Sequence, residues 1–492
     1  MKLENLLKKY FGFDEFRGDQ ERVIQQLLQG GDALVIMPTG FGKSLCYQLP
    51  AAYFQDQKEN LQVSPEKALV LVISPLIALM EDQVKSARKK GLKARAIHSA
   101  LEQGERESIL NELSAGELHL LYVTPERFRK ESFLQTIAKV SVRLLAVDEA
   151  HCISLWGHDF RPDYSKLGEI RKLLGNPPTV ALTATATSRV REDIVKQLHL
   201  KLENSFLGGI ERPELSLHVH ELFSLESKLE KIIELRKKIQ GPVLIYWSLI
   251  GTLEKAYAAF RKADSAKAFK IEKYHGQLPP AERHRAQQAF YQSEDMTLFA
   301  TPAFGLGIDK SNIRGVIHGE IPTSLESYYQ EVGRAGRDGS RAEGHLLFDE
   351  DDISISMDFI KWSCPEPSFV RKVYQLVRDR WDEYRADGND FLRREMNFYN
   401  SRDFRVETSL NQLERAGSLE LKGTHYVALD YWNEDFFSNT DHDKHFKFQN
   451  EKLLSMLRWA QQEEVCRMKL VYEYFGSDHL DDCGICDICL SP

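Results

Sequence analysis

Two series of short apolar runs, each alternating with helical patterns, restrict the fold more than any other feature of this chain. The first series comprises ALVIM, LVLVI, HLLYV, RLLAV and TVAL, at 33–37, 69–73, 119–123, 143–147 and 179–182. The second comprises PVLIYW, IEKY, MTLFA, RGVIH and GHLLF, at 242–247, 271–274, 296–300, 314–318 and 344–348. Such β-rich runs followed by amphipathic helices indicate parallel sheets covered on both faces. We therefore expect an α/β protein with two tandem parallel-sheet domains, 1–207 and 208–350, joined near the glycine- and proline-bearing stretch 206–216.

After about residue 350, helical periodicity dominates. The stretch TSLNQLERAGSLELKGTHYVAL at 408–429 is typical of a helix, a glycine turn and a two-stranded wing. Two interpretations remain open here: a winged helix, or a helical bundle with a hairpin. We expect this helical insert at 351–445 and a cysteine-bearing module at 446–492.

Bulk composition excludes several classes of protein. The 492 residues exceed one ordinary core, and 42% hydrophobic with 28% charged residues is typical of a soluble globular protein. The longest apolar run, 68–80, is too short for a bilayer and is interrupted by Ser74-Pro75, and the N-terminus has no signal-peptide pattern. We expect a cytoplasmic protein without membrane association. A net charge of −8 argues against a uniformly basic surface but permits a local basic groove.

The stretch MPTGFGKS at 37–44 lies between a predicted strand and a predicted helix. A glycine-bearing turn there directs backbone N–H groups at phosphates, reinforced by the helix N-terminus. Lys43 is expected to reach the β- and γ-phosphates of ATP, and the Ser44 hydroxyl to bind Mg²⁺. Met37 stands where the strict pattern has glycine, so the match is to a looser variant. A fortuitous Gly-Lys-Ser turn is the alternative, and the agreement of strand, turn, helix and a downstream acid argues against it.

That acid is Asp148, which follows the run RLLAV, with Glu149 next to it. A carboxylate at the end of a buried strand can hold Mg²⁺ opposite a phosphate loop. Glu149 is then placed to orient and deprotonate the attacking water. A solvated acidic pair would be the alternative elsewhere in a chain, but it suits the end of a buried strand poorly.

With MPTGFGKS and DEAH together, the chain resembles a superfamily 2 helicase, and the other motifs resemble those of the RecQ family of DNA helicases. They are FGFDEFRGDQ (11–20), SPLIALMEDQV (74–84), HCISLWGHDFRPDY (151–164), ALTATAT (181–187), YHGQL (274–278), ATPAFGLGIDK (300–310) and YYQEVGRAGRDG (328–339). The resemblance runs from residue 11 to about 350 and returns at 466–489. It implies two RecA-like domains that couple ATP hydrolysis to 3′–5′ translocation on single-stranded DNA and to unwinding of tailed duplexes, in DNA repair and recombination. A single-stranded-DNA-binding protein is a candidate partner.

The resemblance also assigns roles to residues. It implies ATP contacts by the loop residues Thr39, Gly40, Gly42, Lys43 and Ser44, adenine contacts by Phe13, Arg17 and Gln20, and a nucleotide-facing role for Asp309. It implies coupling roles for His151, Thr183 and Thr185, a nucleic-acid contact at Ser74, and catalytic arginines at Arg334 and Arg337. Arg337 is the better candidate for the arginine finger.

The need for such arginines also follows from the chemistry. The transition state of phosphoryl transfer requires cations around the γ-phosphate. If these cations belong to the other domain, the cleft must close before hydrolysis, and the cycle of closing and opening becomes a motor stroke. A plain basic loop is the alternative, and the Q-x-x-G-R-x-G-R spacing at 330–337 argues against it.

An aromatic and basic run follows the two acids directly. Trp156, His158, Phe160 and Arg161 resemble the aromatic-rich loop of the RecQ family. Aromatic faces stack on unpaired bases, and an arginine can meet a phosphate, so this loop could report bound single strand to the water-activating site. The alternative is that Trp156 and Phe160 are core residues. Leu155 stands where the family usually has glutamine, so any polar contact of that side chain is lost.

Four of the seven cysteines lie close together near the end of the chain. Cys466, Cys483, Cys486 and Cys489 form the pattern C-x16-C-x2-C-x2-C. Four thiolates supply a closed tetrahedral site for Zn²⁺, which would be structural and would fold this segment. An Fe–S cluster, a redox pair, or His479 in place of one thiolate are the alternatives. The RecQ zinc subdomain has this arrangement.

The order of the C-terminal segments departs from the common RecQ layout. About a hundred residues separate the motor motifs from the cysteines, and we expect the terminal helical domain of that layout to be missing, so the chain resembles the short bacterial RecS-like form. Two other functions stay open from sequence: an RNA helicase, and a DNA-binding scaffold that uses ATP as a conformational switch without unwinding. Glu149 and Arg337 argue against the switch, because a switch can dispense with turnover.

Overall fold

The computed structural model describes residues 2–38, 40–61, 68–98, 100–154, 161–201, 205–208, 211–263, 268–305, 310–397, 403–422, 425–434, 436–477 and 481–491. Of the residues singled out from sequence, this leaves Thr39, Leu155, Trp156, His158, Phe160, Asp309 and His479 outside the described residues.

Domain 1 is built on a sheet of seven parallel strands in the order β3-β4-β2-β5-β6-β1-β7. These strands are β1 (Ala33–Ile36), β2 (Leu69–Ile73), β3 (Ala94–Ile97), β4 (Leu120–Val123), β5 (Val142–Val147), β6 (Thr179–Thr183) and β7 (Ser205–Leu207). The central strands are apolar throughout because both faces are covered. Leu34 and Ile36 pack into one core and Ala33 and Val35 into the other, as the alternation of side chains along a strand requires.

The helices of domain 1 lie on the two faces of this sheet. They are α1 (Leu3–Leu6), α2 (Gln20–Leu28), α3 (Leu45–Leu61), α4 (Ile77–Lys89), α5 (Gln103–Ala115), α6 (Glu131–Ile137), α7 (Pro162–Ser165), α8 (Leu167–Leu173) and α9 (Ser188–Leu198), with a π-helical turn at Leu7–Phe11 and 3₁₀ turns at Pro125–Arg129 and Ala150–Ile153.

Domain 2 repeats the architecture with six parallel strands in the order β10-β11-β9-β12-β13-β8. These strands are β8 (Leu215–Glu221), β9 (Val243–Tyr246), β10 (Lys270–Tyr274), β11 (Met296–Ala300), β12 (Gly315–His318) and β13 (Ala342–Phe348). Its helices are α10 (Leu225–Lys238), α11 (Ile250–Lys262), α12 (Pro280–Gln292) and α13 (Leu325–Val332). The prediction of two tandem parallel-sheet domains is confirmed.

Three strands were not predicted from sequence: β3, β7 and β8. All three lie at sheet edges, where one side of the strand has no neighbour. β3 and β8 carry alternating polar residues in ARAI and LSLHVHE, so they lack the continuous apolar run used to find the central strands. The stretch 206–216, expected as a linker, contributes its ends to β7 and β8.

The C-terminal region is mainly helical, as predicted. It contains α14 (Asp352–Ser363), α15 (Pro367–Asp379), α16 (Trp381–Asp387), α17 (Asn389–Asn397), α18 (Arg405–Arg415), the hairpin strands β14 (Leu419–Lys422) and β15 (His425–Ala428), α19 (Asn439–Gln461), α20 (Arg467–Tyr474) and α21 (Asp487–Leu490). Helices α14 and α19 pack against each other although the whole of α15–β15 lies between them in sequence. The segment from α15 to β15, called the insert below, is therefore inserted in sequence between two helices that pack together. Helix α19 spans the domain boundary that we expected between residues 445 and 446.

The insert has a core of its own. Val373, Tyr384, Leu392 and Leu410, from its four helices, share one buried cluster with Leu419 of the hairpin. The two strands are antiparallel and directly follow α18. The insert therefore combines both features considered from sequence. It has a helix followed by a β-hairpin, as in a winged helix, and it has a bundle of four helices that share one core.

Within the part of the chain that the structure describes, no helix is both long enough and apolar enough to cross a membrane.

Candidate nucleotide and nucleic-acid site

The carboxyl ends of the central strands of domain 1 meet at one edge of its sheet. The backbone N–H of Met37 donates to the Thr183 carbonyl at 3.1 Å, and that of Asp148 to the Ile73 carbonyl at 2.8 Å. The residues that follow β1, β2, β5 and β6 are therefore neighbours, although up to 146 positions separate Met37 from Thr183 in sequence. This edge is where parallel α/β sheets bind their ligands.

The phosphate loop occupies the turn from β1 to α3. Gly40 and Gly42 have φ of 90° and 81°, in the left-handed region that glycine adopts without strain. The Lys43 ammonium donates to the Met37 carbonyl at 2.9 Å, which holds it within the loop. The pKa of Lys43 is lowered by burial, against the opposing effects of Glu149 and Asp148. The loop thus has the left-handed glycines and the inward lysine of a phosphate cradle.

Gln20 and Arg17 lie beside this loop. The Gln20 side chain is buried, donates to the carbonyls of Phe41 at 2.9 Å and Gly42 at 3.2 Å, and accepts from the backbone N–H of Arg17 at 2.9 Å. Phe13 is 52% exposed, which leaves its ring face accessible for stacking. Gln20 therefore also braces the backbone of the phosphate loop, a contact that its expected role at adenine did not include.

The two acids follow β5 at the same edge. Burial, and secondarily Glu149, raise the pKa of Asp148 to about 7, while Lys43 acts in the opposite direction. The backbone N–H of Glu149 donates to Asp148 Oδ1 at 3.0 Å. Glu149 has φ 48° and ψ 47°, an uncommon conformation for a residue with a side chain. A strained carboxylate beside a buried one, facing a lysine, is an arrangement suited to a cation and a water at a phosphate.

Arg337 of domain 2 lies on the phosphate loop of domain 1. A Cβ added to Gly40 would lie 3.0 Å from both Cγ and Cδ of Arg337, and the charge of Arg337 lowers the pKa of Lys43. Arg334 is buried within domain 2 and donates to the Gly305 carbonyl. The two arginines predicted from sequence thus have different surroundings, and Arg337 is the one beside the nucleotide loop.

His151, Thr183 and Thr185 are brought together behind the acids. His151 Nδ1 lies 2.9 Å from the Thr183 hydroxyl and 3.3 Å from Glu149 Oε2. The Thr183 hydroxyl donates to the Thr185 carbonyl at 3.0 Å. A continuous polar chain therefore runs from Glu149 to the turn before α9.

The residues expected to meet nucleic acid lie along the same edge. Ser74 follows β2 and is buried, and Arg161 donates to the carbonyl of the adjacent Pro75 at 3.0 Å. Trp156, His158 and Phe160 lie outside the described residues, so of the aromatic and basic run only Arg161 is placed.

Sequence reasoning missed two features of this edge. The first is Tyr164, whose buried hydroxyl donates to the Asp148 carbonyl at 3.1 Å. The second is the turn Pro125–Arg129 after β4, where Arg129 donates to both carboxylate oxygens of Asp163 at 2.8 and 2.9 Å. A basic turn directly after a buried strand was the signal that could have located the second.

The four cysteines converge as their spacing predicted. Their sulfur atoms all lie within 4.8 Å of one another, with Cys466 and Cys486 buried. Cys466 Sγ accepts from the backbone N–H of Cys483 at 3.2 Å, and Cys486 Sγ from that of Cys489 at 3.5 Å. Four sulfur donors at this separation fit one tetrahedral Zn²⁺, whose bonds to sulfur are about 2.3 Å long.

The zinc module is fastened to domain 2 beside these cysteines. Asp487 accepts from the backbone N–H of Val219 on the edge strand β8 at 2.8 Å and pairs with Arg467 at 3.0 Å. Arg467 directly follows Cys466, and Asp487 directly follows Cys486. Two of the clustered cysteines are therefore adjacent in sequence to the residues that cover the open edge of the second sheet.

Three family models match the chain in the order of these domains. Residues 17–194 match the DEAD/DEAH box helicase model, 226–339 match the helicase conserved C-terminal domain, and 427–490 match the RecQ zinc-binding domain. The last match agrees with the cysteine cluster and favours zinc over the alternatives left open by sequence.

Several curated proteins and solved structures are similar to the chain. The probable ATP-dependent DNA helicase RecS of Bacillus subtilis is 38% identical over 388 residues, which cover 78% of this chain and 75% of that protein. The ATP-dependent DNA helicase RecQ of Haemophilus influenzae is 41% identical over 351 residues, 71% of this chain and 54% of that protein, so the chain spans about half the length of this relative. A structure of Mss116p bound to ssRNA and AMP-PNP covers 84% of this chain and 89% of that one, with a TM-score of 0.56 and 18% identity, a likeness of fold alone. The matched domains and the coverage of RecS show that the chain belongs to the RecQ family of superfamily 2 helicases.

Proposed function

We propose that this protein is an ATP-dependent DNA helicase that translocates 3′ to 5′ on single-stranded DNA and separates tailed duplexes. The observation that carries the proposal is the position of Arg337 of domain 2 against Gly40 of the phosphate loop in domain 1. A nucleotide site shared by two domains hydrolyses ATP only when the cleft between them is closed. Each cycle of binding and product release then moves one domain relative to the other.

In the proposed mechanism, the loop amides and Lys43 hold the ATP phosphates. Ser44 and Asp148 would hold Mg²⁺, since hydroxyl and carboxylate oxygens are the ligands that this ion prefers. Magnesium would neutralise charge on the phosphates and lower the pKa of Asp148, which burial otherwise raises. Glu149 orients the attacking water and accepts its proton. Arg337 stabilises the charge that develops at the γ-phosphate.

Nucleic acid would lie along the carboxyl edge of domain 1, over Ser74 and Arg161. In sequence, the aromatic and basic run 155–161 lies shortly after His151, and the His151–Thr183 pair, 2.9 Å apart, lies directly behind Glu149. Occupancy of the edge would therefore be transmitted to the water-activating carboxylate, so that hydrolysis follows strand binding. The relatives named as DNA helicases support DNA as the strand.

The proposal extends to setting and partners. We propose a role in DNA repair and recombination in the cytoplasm, with a single-stranded-DNA-binding protein as a partner.

Strand separation tests the proposal directly. Duplexes with a 3′ or a 5′ single-stranded DNA tail are incubated with ATP and Mg²⁺, with Glu149→Gln as the inactive control and a matched 3′-tailed RNA duplex alongside. We expect opening of the 3′-tailed DNA alone, lost in Glu149→Gln. Opening of the RNA duplex at an equal rate would favour an RNA helicase. DNA-stimulated ATP hydrolysis over many turnovers without separation of the duplex would indicate a translocase. DNA binding without ATP turnover would indicate an ATP-switched scaffold.

A further inference from the structure

The last turn of α18 in the insert contacts domain 1. Arg129 Nη1 lies 3.5 Å from Glu414 Oε1, and the same guanidinium donates through Nε and Nη2 to both oxygens of Asp163. Because Arg129 and Glu414 are 285 residues apart in sequence, this ion pair reports the docking of two separate modules. The insert is therefore seated on domain 1 at a defined place.

That place is the edge to which we assign the nucleic acid. Arg129 ends the turn after β4, and Asp163 lies two residues after Arg161. Arg161 in turn is hydrogen-bonded to the Pro75 carbonyl beside Ser74. The end of α18 therefore adjoins the row of contacts that starts at Ser74 and Pro75, after β2, and runs past Arg161.

Arg415 directly follows Glu414 in α18, and its side chain is exposed to solvent. It lies close enough to Arg161, Arg129, Asp163 and Glu414 for their charges to act on it. The Arg129 guanidinium is paired with the carboxylates of Asp163 and Glu414. Among the described residues, no hydrogen bond or ion pair engages the Arg415 guanidinium, so its donors remain available to a ligand.

We propose that Arg415 contacts a backbone phosphate of the unpaired strand, so that the insert adds a contact to the single-strand interface of domain 1. This group of residues has a net charge of +1, and a guanidinium is suited to a phosphate. Its members are Arg129, Arg161, Arg415, Asp163 and Glu414. The inference rests on the proposed function, because it assigns a further residue to the same interface. The contact would extend the bound strand beyond Arg161, onto the module that lies between α14 and α19 in sequence.

If Arg415 had a purely structural role, a different experimental result would be expected. A cation in the last turn of a helix also interacts favourably with the helix dipole. In that role, removal of Arg415 would lower the melting temperature and leave the salt dependence of DNA binding unchanged. The salt dependence therefore separates the two roles, since it counts phosphate contacts.

The experiment measures binding of a fluorescent oligothymidylate by anisotropy over a series of NaCl concentrations, with the full chain. The variants are Arg415→Ala and Arg415→Lys. The matched control is Arg385→Ala, which removes an exposed arginine from α16 of the same insert. Arg161→Ala reports whether the interface on domain 1 is the one being measured. Thermal unfolding is recorded for every variant.

We expect Arg415→Ala to weaken binding about three- to fivefold, as for an exposed ion pair. The slope of log affinity against log salt should become shallower by about 0.7, the contribution of one contact to a single strand. Arg415→Lys should restore the slope, and Arg385→Ala should match the wild type.

An unchanged slope for Arg415→Ala, with or without a lower melting temperature, would overturn the inference if Arg161→Ala still weakens binding. A loss of slope in Arg415→Lys equal to that in Arg415→Ala would also count against a phosphate contact. Failure of the wild type to bind the oligonucleotide would instead overturn the proposed function.

Discussion

His151 Nδ1 lies 2.9 Å from the Thr183 hydroxyl, and that hydroxyl donates its only hydrogen to the Thr185 carbonyl. Nδ1 must therefore be the protonated nitrogen of the imidazole, since a hydroxyl can donate only once. This relationship orients the ring whose Nδ1 is also 3.3 Å from Glu149 Oε2. It joins Glu149 to the turn that begins α9.

Removal of the Thr183 hydroxyl should weaken the coupling between strand binding and hydrolysis. Thr183→Val keeps the shape of the side chain and leaves the His151 donor without this acceptor. We expect DNA-stimulated kcat to fall about tenfold, the equivalent of one buried hydrogen bond, with ATP binding retained. Steady-state hydrolysis with and without oligonucleotide measures the ratio, and Thr183→Ser is the control that should keep it. Equal stimulation in the valine and serine variants would contradict the role of this hydroxyl.

Arg337→Ala should abolish hydrolysis and leave nucleotide binding largely intact. An arginine supplied to the γ-phosphate is worth about a thousandfold or more in kcat, because its charge matters most in the transition state. The measurement pairs kcat with the affinity for a fluorescent ATP analogue. Arg341→Ala, which removes an exposed arginine four residues on, is the matched control and should behave as the wild type. A large loss of nucleotide affinity with kcat unchanged would assign Arg337 to ground-state binding.

Loss of one zinc ligand should release the zinc module from the second sheet. In Cys486→Ser we expect metal content to fall from about one zinc per chain to near zero, because a closed structural site needs all four thiolates. The Asp487–Val219 contact should then be lost, and amide exchange along β8 should rise. The control is Cys364→Ser, which alters a buried cysteine outside the cluster and should keep the metal. Retention of a full zinc equivalent by Cys486→Ser would show that another ligand set is used.

Asp352 should make the stability of domain 2 depend on pH. Burial raises its pKa from 3.8 to about 6, against the effect of Lys228, whose ammonium lies 2.7 Å away. Glu320 and Asp349 face the same group and add to the rise. The folded state therefore holds this proton more tightly than the unfolded chain does, and the associated stability is lost as pH rises through about 6.

Asp352→Asn removes the titration and isolates its contribution. We expect the free energy of unfolding of the wild type, taken relative to the variant, to fall by about 1 kcal/mol between pH 5 and pH 7.5. Urea unfolding at both pH values provides the difference, and Asp358→Asn on the exposed face of α14 is the control. An increase across the same interval would mean that the ion pair with Lys228 outweighs burial.

Much of the nucleotide site could be predicted from short segments of sequence. A strand, a glycine-bearing turn and a helix N-terminus are local, so the phosphate loop with Lys43 follows from a few adjacent residues. The Cys486–Cys489 spacing is similarly local. By contrast, the bracing of the loop by Gln20 joins residues 21 positions apart, and no short sequence pattern indicated the positive φ of Glu149.

The sequence by itself determined the two α/β domains and the grouping of the four cysteines, because hydrophobic periodicity and cysteine spacing act over a few residues. It also determined the family, through motifs that each belong to one strand end or turn. Only the tertiary structure decided that α14 and α19 pack around the insert, that Glu414 meets Arg129, and that Arg337 rather than Arg334 lies on the phosphate loop. These are contacts between residues dozens to hundreds of positions apart, and they arise from the packing of whole elements, which no local pattern encodes.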